Sequence, residues 1–210
     1  ISVSYLENEG SYLAGVMAAM MTTRTDYEGI NEDKVLGFVG AVDSTTIHNF
    51  LTGFEQGVAS VDSEIKVLPV YVGDYNDPAT GKELALSLYD QGADIIYAAA
   101  SNSGDGVSEA AVELGRYVIG VDTDKSFQGP ENVMGSMLKN VTKSFYDVIA
   151  AKNNGEPLDA EQRCGLSKKW VEMYFIDSMA QFLPEEVMAA IAQAEERIVS
   201  GSVTVQEAAN

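Results

Sequence analysis

The chain predicts an α/β fold, a parallel sheet flanked by helices, and three observations carry that expectation. Short apolar, β-branched runs recur along it. Each of the first three is followed by a segment with apolar residues at helical spacing, and the joints between them are brief and rich in Gly, Asp, Asn and Pro. Parallel strands need crossover helices, and a sheet covered on both faces reads as continuous apolar runs rather than as strict alternation.

The elements follow in order. The opening ISVSY reads as part of a strand, and a start there without Met predicts a processed or truncated product. Val35–Val39 (VLGFV) is a buried-strand run. Asp43–Ser44 supplies a cap, and Ile47, Phe50, Leu51, Phe54, Val58 and Val61 fall at helical spacing. Val67–Val72 is the next strand. Asp77 and Pro78 then read as N-cap and first helical residue, which suits proline's fixed φ and missing N–H. Leu84, Ala85 and Leu88 form that helix's inner face, and DQG closes it. Ile95–Ala99 is a third strand. Val107, Ala110, Ala111 and Leu114 make a helix ended by Gly115, and Tyr117–Val121 is a fourth strand. Beyond Val121 the pattern loosens. DKSFQGPEN reads as a crossover, Val133–Ser136 as a short strand, and Leu138, Val141, Phe145 and Val148 as a helix stripe. AKNNGEPLDAEQ is a long exposed loop, and Trp170–Ile176 alternates like a strand. The last helix, LPEEVMAAIAQAEERIVSG, has Pro184 in its first turn, Glu185 and Glu186 where the dipole favours acids, and Gly201 at its end.

Composition excludes several function classes. The 32 acidic against 13 basic side chains give a formal charge of -19, the opposite of the basic footprint that a nucleic acid polymer or an anionic membrane surface requires. The single cysteine, Cys164, permits neither an internal disulfide nor a CxxC metal site. No apolar run approaches the ~18 residues of a membrane-spanning helix. Ser101 or Ser103 could be drawn into a triad with His48 and Asp43, but no GxSxG elbow supports it, and His48 reads as an ordinary helix residue. Asp122 and Asp124 lack EF-hand spacing. The sequence thus predicts no catalytic residue, no metal site and no cofactor.

In open parallel sheets ligands bind beyond the carboxyl ends of the strands. That directs attention to Asp43, Gly73–Asp77, Ser101–Gly106 and Asp122–Ser126. In YVGDYNDPA a turn needs only Gly, Asp and Pro, so Tyr75 either fills a core gap or meets a ligand. SNSGDG lies where backbone N–H groups can cradle an anion, yet it fits no phosphate fingerprint and Asp105 would repel one. A tight turn is the plainer reading there, and neutral hydroxyls or amides are the better guests. Lys139 reads as the start of a helix, where a cation opposes the dipole unless an acid or a ligand answers it.

Taken together, ENEGSYLAGVMAA, IHNFLTGFEQGV, YVGDYNDPATGKELALSLYDQGADIIYAAASNSGDGVSEAA, VIGVDTDKS and MGSMLKNVTKSFYDVI resemble the basic membrane protein (BMP) family. These PnrA-like lipoproteins are substrate-binding components of ABC importers, and a purine nucleoside receptor is among them. The resemblance implies a type I periplasmic-binding-protein fold, two α/β lobes joined by three crossovers. On that basis 1–125 is the C-terminal lobe, 126–165 a crossover segment belonging to a missing N-terminal lobe, and 166–210 the return with the final helix. The strand and helix of 126–165 should then lack sheet neighbours and be displaced, disordered or packed on another molecule.

The resemblance also implies roles. Tyr75 matches an aromatic, usually Phe, that stacks on the nucleoside base. Asp122 matches the acid of a GVD motif that accepts ribose hydroxyls, and Lys139 a lysine also directed at ribose. Ser101 stands where the family commonly has Gly, which narrows the space beside the ligand. Asp43 and Glu9 lie near the cleft by pattern. The implied function is a nucleoside receptor without catalysis, lipid-anchored outside the bacterial cell membrane in its full-length precursor, with an ABC permease and ATPase as partners. Self-association of this chain is a further expectation. A nucleoside-processing hydrolase and a ligand-sensing regulatory domain are the alternatives, and riboflavin stays open as a ligand.

Overall fold

A computed structural model describes residues 1–209. In chain order the elements are β1 (Ser2–Tyr5), α1 (Glu7–Thr22), β2 (Val35–Gly40), α2 (Thr45–Val61), β3 (Lys66–Tyr71), α3 (Pro78–Asp90), β4 (Ala93–Ala99) and α4 (Gly104–Leu114). They continue with β5 (Tyr117–Asp122), β6 (Val133–Lys139), α5 (Val141–Asn153), β7 (Glu161–Cys164), β8 (Val171–Tyr174), α6 (Asp177–Phe182) and α7 (Glu185–Val199). The main sheet has the order β3-β2-β4-β5-β6-β8. All its pairings are parallel except β6 with β8.

The sheet is parallel because its central strands have no polar face to show. Every residue of β2 and β4 is buried, whereas β3, which carries Pro69, is partly exposed and forms one edge. Proline cannot donate to a ladder and is tolerated where one side of a strand is free. Helix α2 packs beside α1, and α3 packs on α4; the right-handed rule for parallel crossovers puts the two pairs on opposite faces. The expected caps are present. Ser44 Oγ accepts from Ile47 N, Asp77 Oδ1 accepts from Thr80 N with Pro78 following, and Gly115 is left-handed at φ 60°.

Both helix pairs touch backbone to backbone. A Cβ on Gly53 of α2 would lie 2.2 Å from Asn8 O of α1, and one on Gly57 would lie 2.1 Å from Tyr12 O. Gly15 of α1 faces Phe54 O in the same way at 2.2 Å. On the opposite face a Cβ on Gly106 of α4 would sit 1.8 Å from Pro78 O, and one on Gly81 of α3 2.1 Å from Ser103 O.

The expectation for 126–165 needs correction. Strand β6 is not displaced. It pairs with β5 from Val118↔Val133 to Asp122↔Leu138 and with β8 from Ser136↔Tyr174 to Lys139↔Val171. Val133, Met134 and Met137 are buried between those neighbours, so the strand runs on through Leu138, which had read as helical. Lys139 therefore ends a strand instead of opening a helix; α5 starts at Val141 behind Asn140. The segment does separate after that point. Helix α5 exposes Val141, Phe145, Tyr146 and Ile149, and β7 pairs only with β1, in a second, two-stranded sheet.

Three chain passages join the two sheets, and they are bonded to one another. Leu6 N donates to Cys164 O at 3.1 Å, Asn140 N to Trp170 O at 2.8 Å, and Asn140 Nδ2 to Lys169 O at 2.9 Å.

At the amino end of β4, Asp94 is fully buried. Its carboxylate accepts from Thr22 Oγ1 at 2.8 and 2.9 Å and from Asn31 N at 3.4 Å. Burial outweighs those bonds and pushes its pKa up to about 6.

Two predictions follow from these contacts. Alanine in place of a helical glycine ordinarily stabilises by about 0.5–1 kcal/mol. Gly57→Ala should instead destabilise by about 1–3 kcal/mol in urea denaturation, because the new methyl group meets the α1 backbone. For Asp94, a pKa raised from 3.8 means that its favourable contribution is complete below about pH 3.8 and is lost as the pH rises through about 6. Asp94→Asn should therefore gain about 2 kcal/mol on the native chain between about pH 4 and about pH 7.5. Denaturation curves at the two pH values measure the difference.

Candidate functional site

The carboxyl ends of β2, β4, β5 and β6 converge, and the side chains just past them face one another. A pocket of about 100 Å³ lies there, lined by Thr46, Ile47 and Phe50 of α2, by Tyr75, Ala99 and Ser101, and by Val121, Asp122 and Lys139. A second pocket of about 420 Å³ shares Asp122 and Lys139 and extends over Thr123, Asp124, Asn140 and Thr142. Tyr75, Ser101, Asp122 and Lys139, all singled out in the sequence, thus line one site.

Tyr75 is held from below. Ser103 Oγ accepts from Asp77 N at 2.9 Å and donates to Asp74 O at 2.7 Å, while Ser103 N donates to Tyr75 O at 3.0 Å. Asp74 Oδ1 accepts from Asn76 N, and Asn102 Nδ2 donates to Asn76 Oδ1, both at 2.7 Å. The short 3₁₀ turn Ser101–Ser103 therefore staples the 74–77 loop in place. The Tyr75 ring, 45% exposed, fills no core gap.

Four non-glycine residues among those described have left-handed backbone, and two of them are Ser101 (φ 53°) and Asp122 (φ 68°). Such conformations cost roughly 1–3 kcal/mol each and collect at functional sites. A glycine at 101 would be free of that cost. Asp122 Oδ1 is buried and has no hydrogen-bond partner.

Lys139 organises the charges. Its Nζ lies 3.1 Å from Glu7 Oε1 and 3.5 Å from Asp122 Oδ1. It also lies over the Phe50 ring at 4.8 Å and the Tyr5 ring at 5.8 Å from the centroids. Glu7, the first residue of α1, is only 7% exposed. The sequence reading passed over Glu7 and placed Phe50 in the core stripe. The one available signal for Glu7 was an acid beside the strand-like opening of the chain.

The remaining two candidates stand elsewhere. Glu9 turns toward the β7–β8 connection, where its Oε2 accepts from Leu166 N at 2.9 Å in space left by Gly165, and burial raises its pKa. Asp43 Oδ1 pairs with His48 Nε2 at 2.8 Å and lies outside the pocket lining. Among the described residues no cluster of His, Cys, Asp or Glu could hold a metal ion. A larger groove of about 850 Å³ opens at the amino ends of β5 and β6, between Tyr117, Asn132 and Phe182. None of its lining residues joins an ion pair, and no non-glycine one is left-handed, so volume alone does not outweigh the strand-end site. An aromatic face, a carboxylate oxygen without a hydrogen-bond partner and a paired ammonium suit a flat solute bearing hydroxyl groups.

A family model described as ABC transporter substrate-binding protein, PnrA-like (Bmp), matches residues 1–209. The chain is 38% identical over 150 residues to "Basic membrane protein D" of Borreliella burgdorferi, which covers 70% of this chain and 41% of that protein. It is 30% identical over 222 residues to an "ABC transporter nucleoside-binding protein BmpA" of Lactococcus lactis, covering 97% of this chain and 59% of that one. The chain thus spans about half the length of these relatives. Among solved structures, an ABC transporter solute-binding protein from Aeropyrum pernix superposes with a TM-score of 0.81 at 20% identity, covering 100% of this chain and 67% of that one. A likeness at that identity is one of fold, and the fold is the α/β solute-binding-protein fold, with a mainly parallel sheet flanked by helices.

Removing one member of a buried ion pair leaves a charge without compensation. Lys139→Met alone should destabilise the chain by about 3–5 kcal/mol, and the double variant Glu7→Gln with Lys139→Met should recover most of that loss. Denaturation of the two single variants and the double variant, as a cycle, measures the coupling.

Proposed function

Because the chain belongs to the family of PnrA-like ABC transporter substrate-binding proteins, we propose that it carries one wall of a cleft that takes up a purine nucleoside for import. The observation that carries this reading is the convergence of Tyr75, Asp122 and Lys139 on one pocket, with Asp122 Oδ1 buried, 3.5 Å from Lys139 Nζ and without a hydrogen-bond partner. The Tyr75 ring would stack on the base, worth roughly 1–3 kcal/mol. Asp122 would accept from a ribose hydroxyl, a charge-assisted bond stronger than a neutral one. Lys139 would donate to the same sugar, and Ser101 would border it.

The charges favour an uncharged solute. Lys139 already has Glu7 and Asp122 within 3.1 and 3.5 Å, so it has no net positive charge to offer a phosphate. Helix α5 and the β1–β7 sheet lie apart from the main sheet, and we assign them to a second lobe that supplies the opposite wall in the full-length protein. Extracytoplasmic placement by a lipid anchor, and delivery to an ABC permease and its ATPase, belong to the same proposal.

Calorimetry of the full-length protein against adenosine, guanosine, cytidine, riboflavin and AMP tests it. A purine nucleoside should bind tightest, and AMP at least about 100-fold more weakly, since an uncompensated buried charge is costly. Tyr75→Ala should weaken nucleoside binding by roughly 10- to 100-fold. Binding of riboflavin alone, equal binding of AMP, or release of free base during incubation would each overturn the reading. The chain 1–210 by itself should bind far more weakly than the full-length protein, because one wall desolvates only one face of the ligand.

A further inference from the structure

The chain beyond α7 does not trail into solvent. After Gly201, left-handed at φ 75°, residues 203–208 run back toward the strand-end pocket and bury Val205 in the core. No strand pairs with this segment. Side-chain amides take its backbone groups instead. Gln56 Oε1 accepts from Gln206 N and Gln56 Nε2 donates to Gln206 O, both at 2.9 Å, which imitates one step of a strand ladder. Asn49 Oδ1 accepts from Ala208 N at 2.9 Å, and Asn8 Nδ2 donates to Val205 O at 2.9 Å. Beside them Arg163 Nη2 of β7 pairs with Glu207 Oε2 at 2.6 Å.

The two asparagines are buried, Asn8 at 2% and Asn49 at 8% exposure. Their sequence neighbours are Glu7 and Phe50, the carboxylate and the ring that hold Lys139. Between them α1 and α2 meet at Asn8 O and Gly53 with no room for a methyl group.

We propose that segment 203–208 is a positioning strap for the pocket. By fixing Asn8 and Asn49 together it sets the first turns of α1 and α2, and so the places from which Glu7 and Phe50 hold Lys139 beside Asp122. Asn8, Asn49 and Gln56 are positioning residues in this scheme, since they touch the strap and line neither of the two strand-end pockets. The effect on ligand binding rests on the nucleoside reading above; the effect on the two helix starts does not.

The test uses the full-length protein, with hydrogen exchange followed in peptides spanning Glu7–Leu13 and Thr45–Phe54, and adenosine affinity measured alongside. Asn49→Ala removes the acceptor for Ala208 N, Asn49→Asp keeps it, and a truncation after Ser202 removes the strap. Truncation also uncovers core at Val205, so the point variants decide if the shortened chain does not fold. Asn49→Ala should speed exchange in both peptides by roughly threefold to tenfold, about the worth of one hydrogen bond, with β2 and β4 unchanged. It should weaken adenosine binding by a similar factor, and Asn49→Asp should restore both. Unchanged exchange in both peptides overturns the strap whatever the ligand. Faster exchange with unaltered affinity overturns its link to the pocket. A native protein that binds no nucleoside refutes the ligand reading instead, and the exchange data then judge the strap alone.

Discussion

The pocket depends on two places where helices approach each other without side chains between them. On one face Gly15, Gly53 and Gly57 let α1 lie directly on α2, which brings Glu7 and Phe50 together onto Lys139 at the carboxyl end of β6. On the other face Gly81 and Gly106 bring the starts of α3 and α4 together, so that the 74–77 loop and the 101–103 turn share hydrogen bonds and Tyr75 is presented from a fixed base. A methyl group at any of these contacts would separate one wall of the site from the sheet that carries the rest.

Within that frame the electrostatics are local. The chain is strongly acidic as a whole, yet its site is built around a lysine whose side chain is 18% exposed. Two carboxylates and two aromatic faces surround the ammonium, and they come from four different elements or their flanks: β1, α1, α2 and the end of β5. Two carboxylates against one ammonium leave the group with a surplus negative charge. Asp122 Oδ1 lies among them without a hydrogen-bond partner, and on the proposed reading it is the acceptor for a hydroxyl group of the solute.

Much of this was legible in the sequence because the signals were local. Ser44, Asp77–Pro78 and Gly115 mark helix ends by their own backbone chemistry, and the apolar runs of β2, β4 and β5 announce a sheet covered on both faces. Helix α1 was not legible. It is buried on almost every side and shows no polar stripe, so its start, and with it the choice between Glu7 and Glu9, had no periodicity to rest on. Strand β6 was cut short because Leu138 fits a helical stripe as well as a strand, and only its pairing with both β5 and β8 decides between them. The side-chain amides that bind the tail lie far from it in sequence, and no local pattern could have indicated them.

The three passages at Leu6, Asn140 and Gly165 are bonded side by side, and Lys139 immediately precedes one of them. If the small sheet swings against the large one, this bundle is the natural axle. A group on an axle travels little while the rim sweeps far. The ammonium of Lys139 would then keep Glu7, Asp122 and Phe50 at every angle of the swing, whereas the exposed aromatic side of α5, further from the axle, would cover more of the distance.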